Sequence, residues 1–126
     1  MTEKAFSRHF FVVHSFISEE ARKQYLTPPE KQNPPSKTET EREWAEAATG
    51  EFARCMQTWA GNDNFFYCHW VAESEEDVYK QLDIFELEGT IVNSKVDEIH
   101  QFVSAYRNSD TILRSYPENG DKWPVS

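Results

Sequence analysis

Between Thr58 and Ala72 the chain reads Thr58-Trp59-Ala60-Gly61-Asn62-Asp63-Asn64-Phe65-Phe66-Tyr67-Cys68-His69-Trp70-Val71-Ala72. Two runs of aromatic and β-compatible residues flank a cluster, Gly61 to Asn64, whose members tolerate the backbone of tight turns. This pattern predicts a β-hairpin with an unusually aromatic sheet surface. A surface of that kind is not left bare in water, so it constrains both the fold and the place where function sits.

The flanking segments supply the rest of a small layered fold. His9 to Phe16 is a compact aromatic and β-branched run and reads as a strand. Ser18 to Leu26 can make a short helical turn, and the segment from Thr27 to Ser36 then holds four of the six prolines, which excludes regular structure and predicts an exposed loop or flap. Thr38 and Thr40 each stand three residues before a glutamate, Glu41 and Glu43, so either can close a capping box. Trp44, Ala48 and Phe52 recur at helical spacing, predicting a helix over about Glu39 to Thr49 with Gly50 as its stop.

Strands over Arg54 to Ala60 and Phe65 to Ala72 form the hairpin. Ser74 to Asp77 caps a further helix with Val78, Leu82 and Phe85 on one face and Gly89 beyond its end. Residues 94–106 fit both periodicities. A strand is the better reading, because the order strand, helix, strand, strand, helix needs one more strand to complete a four-stranded sheet covered by two helices. From Arg107 to Ser126 the chain reads as an extended tail carrying Pro117, Gly120 and Pro124. The 126 residues therefore make one domain, with its core over about 9–106, a Pro-rich loop at 27–37 and the tail at 107–126.

Thirteen Lys and Arg against 22 Asp and Glu give a net charge of −9, with no basic patch to track phosphates, which argues against a nucleic-acid partner. The start is polar, and the apolar run from Phe10 to Ile17 is short and interrupted by His14, so neither a secretory leader nor a membrane span is expected. A cytoplasmic protein with Cys55 and Cys68 as free thiols follows. No phosphate loop, nucleophile elbow or metalloprotease motif is present to suggest nucleotide or hydrolase chemistry.

The βαββαβ order is similar to the ferredoxin-like α+β fold. Within that group, the hairpin ending in Tyr67-Cys68-His69-Trp70-Val71-Ala72, followed by Glu73-Ser74-Glu75-Glu76-Asp77 and later by Val96-Asp97-Glu98-Ile99, resembles a small, mostly uncharacterised bacterial family that includes a nickel-binding protein. The resemblance covers about Phe10 to Ile99; the Pro-rich insertion and the tail depart from it. It implies sheet-to-sheet pairing into a homodimeric α/β barrel, a cavity between the sheet and its coverings, and a divalent transition metal such as nickel as a candidate cofactor. The wider group also contains haem-handling proteins and cofactor-free oxygenases.

A hairpin turning symmetrically about Asn62-Asp63 places Ala60 opposite Phe65, with Cys55, Gln57, Trp59, Phe66, Cys68, Trp70 and Ala72 on one face. The other face then carries Met56, Thr58, Ala60, Phe65, Tyr67, His69 and Val71, a set suited to packing under helices, so the tryptophan and cysteine face is expected to be the open one. His14, Gln57, Trp59, Phe66 and Trp70 are the candidate ligand-binding residues there. If the first strand lies beside the third, His14 approaches Cys68, with Cys55 diagonally across. One imidazole and two thiols suit a soft or borderline metal, although their spacing matches no known metal motif, and a cysteine in a strand is more often a small core residue.

The expected function is binding of a small molecule or divalent metal in an aromatic cavity on the open sheet face of a homodimer. The alternative is a cofactor-independent monooxygenase or isomerase acting on an aromatic or polyketide-like molecule, with His14 shuttling a proton and the tryptophans excluding water.

Overall fold

The computed structural model describes residues 6–106 together with 108, 110 and 113–114. Along the chain run β1 (Arg8–Phe16), α1 (Glu19–Leu26), a 3-10 turn (Pro29–Lys31), α2 (Glu41–Ala47), β2 (Ala53–Ala60), β3 (Phe65–Ala72), α3 (Glu75–Ile84) and β4 (Val92–Ile99). Two-residue strands β5 (Gln101–Phe102) and β6 (Leu113–Arg114) pair with each other. The main sheet has the order β2-β3-β1-β4 with every pair antiparallel, and its helices lie on one face, which is a ferredoxin-like α+β arrangement. No helix among the described residues is long and apolar enough to cross a membrane. Most of the tail beyond 106 lies outside the described residues.

Each helix begins where the sequence supplies a hydroxyl to accept an otherwise unpaired backbone N–H. Ala21 N donates to Ser18 Oγ at 3.0 Å ahead of α1, and Asp77 N to Ser74 Oγ at 3.1 Å ahead of α3. Of the two threonines able to start α2, Thr40 does so: Glu43 N donates to Thr40 Oγ1 and Thr40 N to Glu43 Oε1, both at 3.1 Å. The helix is shorter than the sequence predicts, and Gly50 does not stop it by taking a left-handed conformation. A Cβ at Gly50 would instead overlap the side chain of the buried Gln81, whose Oε1 accepts from Phe52 N at 2.8 Å. Gly50 is there for close approach.

The last main strand bears out the strand reading over residues 94–99 of the ambiguous segment, beginning two residues early at Val92, whereas Gln101–Phe102 form a separate short strand and residues 103–106 belong to neither. Its alternation decides which sheet face the helices cover. Val92 and Val96 point to one side, whereas Asn93, Lys95 and Asp97 point to the other and stay exposed. Helices laid over the second side would bury a lysine and an aspartate, so they pack on the first. There Phe10, Val12 and Phe16 of β1 join Ala53, Cys55, Phe66, Cys68, Trp70, Val92 and Val96, and meet Ala21, Ala48, Val78 and Leu82 from the helical side.

This corrects the sequence expectation: the cysteine and Trp70 face is the covered one. A second correction concerns the hairpin. Ala60 pairs with Phe66 instead of Phe65, and Met56 bulges out between Cys55 and Gln57, which restores Cys55 opposite Trp70. Thr58 therefore faces inward opposite Cys68, and Gln57 and Trp59 turn to the open face, where Trp59 and Tyr67 flank Phe11 with ring centroids 6.4 and 6.0 Å from it.

Candidate functional site

Alternation along β1 and β3 brings His14, Phe66, Cys68 and Trp70 to the covered face, and β2 adds Cys55 and Thr58. Above them the helical layer does not close completely. Tyr25 from α1, Trp44, Ala47 and Ala48 from α2 and its cap, and Phe85 and Leu87 after α3 roof a cavity of about 160 Å3. An outer cleft of about 680 Å3 shares Tyr25, Trp44, Thr58, Phe85 and Leu87 with it and is otherwise walled partly by Thr27, Pro28, Pro29 and Gln32. The Pro-rich segment thus stands at the approach to the cavity. Gln32 Nε2 holds it in place by donating to Thr27 O at 2.7 Å.

The walls are aromatic. Phe66 carries the His14 ring stacked at 4.4 Å and the Tyr25 ring at 4.7 Å between centroids. Trp70 lies against Phe85 at 6.3 Å. Burial pushes the Tyr25 hydroxyl above its ordinary value, with negative charge at Cys68 adding to the rise.

Three polar groups interrupt this lining. His14 is 1% exposed and its Nδ1 lies 2.6 Å from Ser94 Oγ. Ser94 is itself fixed, because its N–H donates to Glu88 Oε2 at 2.9 Å and its carbonyl accepts from Tyr79 Oη at 3.1 Å. With Nδ1 engaged, the imidazole has its other nitrogen free to act on Cys68, whose thiol it lowers.

The second group is the thiol pair. Cys55 and Cys68 are both free and buried and line the same cavity; Cys55 Sγ lies 3.7 Å from Gln57 O, and Cys68 Sγ 3.3 Å from Thr58 Oγ1. The interaction of the two thiols, supported by His14 and by the Thr58 hydroxyl, lowers the Cys68 thiol against the opposing effect of burial. The same interaction and burial raise Cys55. The proton is therefore lost from Cys68 before Cys55.

The third is Trp70. Its indole N–H is buried and has no hydrogen-bond partner among the described residues, although the ring is 3% exposed. An unpaired buried donor costs stability and is usually met by something else.

Of the residues singled out from sequence, the structure therefore unites His14, Phe66, Trp70, Cys55 and Cys68 around one cavity and removes Gln57 and Trp59 from it. No group of three or more His, Cys, Asp or Glu among the described residues is placed to hold a metal ion. Sequence reasoning missed Ser94, Glu88, Trp44 and Tyr25. The alternation Val92, Ser94, Val96 was the available signal for Ser94, since a lone serine on an apolar face beside a histidine marks a buried polar contact.

A separate cluster sits at one end of the open face. His9 Nδ1 lies 2.9 Å from His69 Nε2, and both rings approach Phe102, at 6.1 and 5.0 Å. Burial, with His9 beside it, pushes His69 down to about 4. The sequence reading had put His69 under the helices.

Comparison of the chain with known protein families, curated proteins and solved structures gives no match, so the reading of the site rests on its own geometry.

Proposed function

We propose that this protein binds a small, largely apolar molecule of single-ring size in the cavity between its sheet and helices. One observation carries the reading: a space of about 160 Å3 walled by aromatic rings is interrupted by few polar groups, among them an oriented His14 and the Thr58 hydroxyl. A cavity of roughly 150 Å3 accommodates one benzene ring, so a single ring fills this space and a second fused ring would extend into the outer cleft. A carbonyl or phenolic oxygen on the ligand suits the few polar groups of the wall, such as the Thr58 hydroxyl.

The test is a fluorescence titration with benzaldehyde, phenol and, as the oversized control, naphthol. Saturable binding of the single-ring compounds, lost in Ala47→Phe, which projects a ring from the cavity roof, is the expected result. Equal binding by wild type and the filled variant overturns the site. A cofactor-independent isomerase is the second reading, favoured by the Ser94–His14–Cys68 chain, which can hold and return a proton in a water-poor cavity. Turnover of a bound ring compound without added cofactor, abolished in His14→Ala, distinguishes catalysis from binding alone.

The partner we propose for the open face is a second copy of the chain. Phe11, Trp59 and Phe65 are each about two-fifths exposed, and a matching patch from the same surface would cover them. Light scattering is expected to give twice the 14.8 kDa of one chain. A monomer at micromolar concentration contradicts it. A reducing, cytoplasmic setting fits the two free thiols.

A further inference from the structure

We propose that Cys55 and Cys68 are a peroxide-responsive dithiol, in which Cys68 attacks and Cys55 resolves to give a reversible disulfide across the β2–β3 hairpin. The inference uses the same cavity as the binding reading but does not depend on any ring compound occupying it.

Cys55 stands opposite Trp70 and Cys68 opposite Thr58, with the Met56 bulge between them, so both side chains point to the covered face from adjacent strands. They line the same cavity, and each is the main influence on the other's proton affinity. A buried pair of cysteines kept apart by packing would be inert. These two face one space from adjacent strands, and they differ. Cys68 alone has His14 and the Thr58 hydroxyl beside it, whereas Cys55 has neither, which separates an attacking thiolate from a protonated partner.

The outer cleft supplies the route, since its walls at Thr58 and Trp44 are also walls of the cavity, and hydrogen peroxide is far smaller than the ring-sized space behind them. The chemistry balances with a hydroperoxide as the oxidant. The Cys68 thiolate attacks the terminal peroxide oxygen, the O–O bond breaks, and the departing oxygen takes a proton to leave as water or an alcohol, which gives the sulfenic acid at Cys68. Cys55 then attacks that sulfur; the S–S bond forms, and the hydroxyl leaves with the Cys55 proton as water. Two thiols and one hydroperoxide thus become one disulfide, one alcohol or water, and one further water. An external thiol reductant reverses the change by exchange.

The experiment uses the reduced full chain and hydrogen peroxide, with no ring compound present. Intact mass and a non-reducing peptide map should show loss of two hydrogens and a Cys55–Cys68 cross-link within one chain, reversed by dithiothreitol. Cys55→Ser should stop at a sulfenic acid on Cys68 that dimedone labels, and Cys68→Ser should slow oxidation by about tenfold or more. Both substitutions are close to isosteric, and the wild-type map stands alone if either fails to fold. Wild type that keeps both thiols after peroxide, a cross-link only between chains, or equal oxidation rates in the two variants each overturns the proposal. Failure of the ring-compound titration leaves this result untouched, and the converse holds.

Discussion

Trp70 lines the cavity and carries a buried indole N–H with no acceptor among the described residues. Trp70→Phe removes that donor while keeping most of the aromatic volume. Chemical denaturation should show stability unchanged or higher by up to about 1 kcal/mol, because an unmet donor is lost. A fall in stability would mean that the indole N–H is satisfied in some other way. At this scale the sequence was readable where alternation is regular: His14, Cys68 and Phe66 lie on one face because β1 and β3 pair without irregularity. It was not readable at Gln57 and Trp59. The Met56 bulge inverts them, and methionine carries none of the glycine or asparagine character that signals a bulge.

Elements were legible where local chemistry dictates them. Ser18, Thr40 and Ser74 cap the three helices, and the Thr27 to Ser36 prolines hold a loop with only one 3-10 turn. The covered face was misassigned because the hairpin alone is aromatic on both sides; the choice is made by Lys95 and Asp97 on β4, far along the chain. Gly50 gives a sharp test of how α3 docks. Gly50→Ala forces the Gln81 side chain away and strands the Phe52 N–H it accepts from, which should cost about 1–3 kcal/mol in a denaturant titration. A cost of only a few tenths would show that Gln81 repacks freely. The Pro-rich segment makes a different prediction, because it lines the outer cleft yet contributes no buried residue between Thr27 and Ser36. Replacing Pro28 to Pro35 with a short Gly/Ser linker should leave the melting temperature nearly unchanged and alter association and dissociation rates of the ring compound. Unchanged rates would reduce this loop to a surface insertion.

For the whole molecule, the ferredoxin-like order follows from the sequence pattern, but what distinguishes this chain is how its two sheet faces are divided. The covered face holds the cavity and thiols; the open face holds Phe11, Trp59 and Phe65, with His9 and His69 toward one end. Those histidines set an acid limit on stability. His69 is held near 4 when folded, below the ordinary value of 6.5, so between these pH values the unfolded chain takes up a proton that the folded chain refuses. The contribution is intact above 6.5 and is lost as pH falls toward 4, a change on the order of 2–3 kcal/mol. His69→Gln should flatten the denaturation free energy over that window relative to wild type, and parallel profiles would assign the acid loss to the carboxylates instead. The division of faces also gives the most direct test of the central claim, that ligand enters the covered cavity and not the open aromatic face. The indole N–H signals of Trp70 and Trp44 report the cavity, and that of Trp59 reports the open face. In a heteronuclear NMR titration with benzaldehyde, saturable shifts of the Trp70 and Trp44 indoles with Trp59 unmoved are the expected result; a shifted Trp59 with Trp70 and Trp44 unmoved would contradict the account.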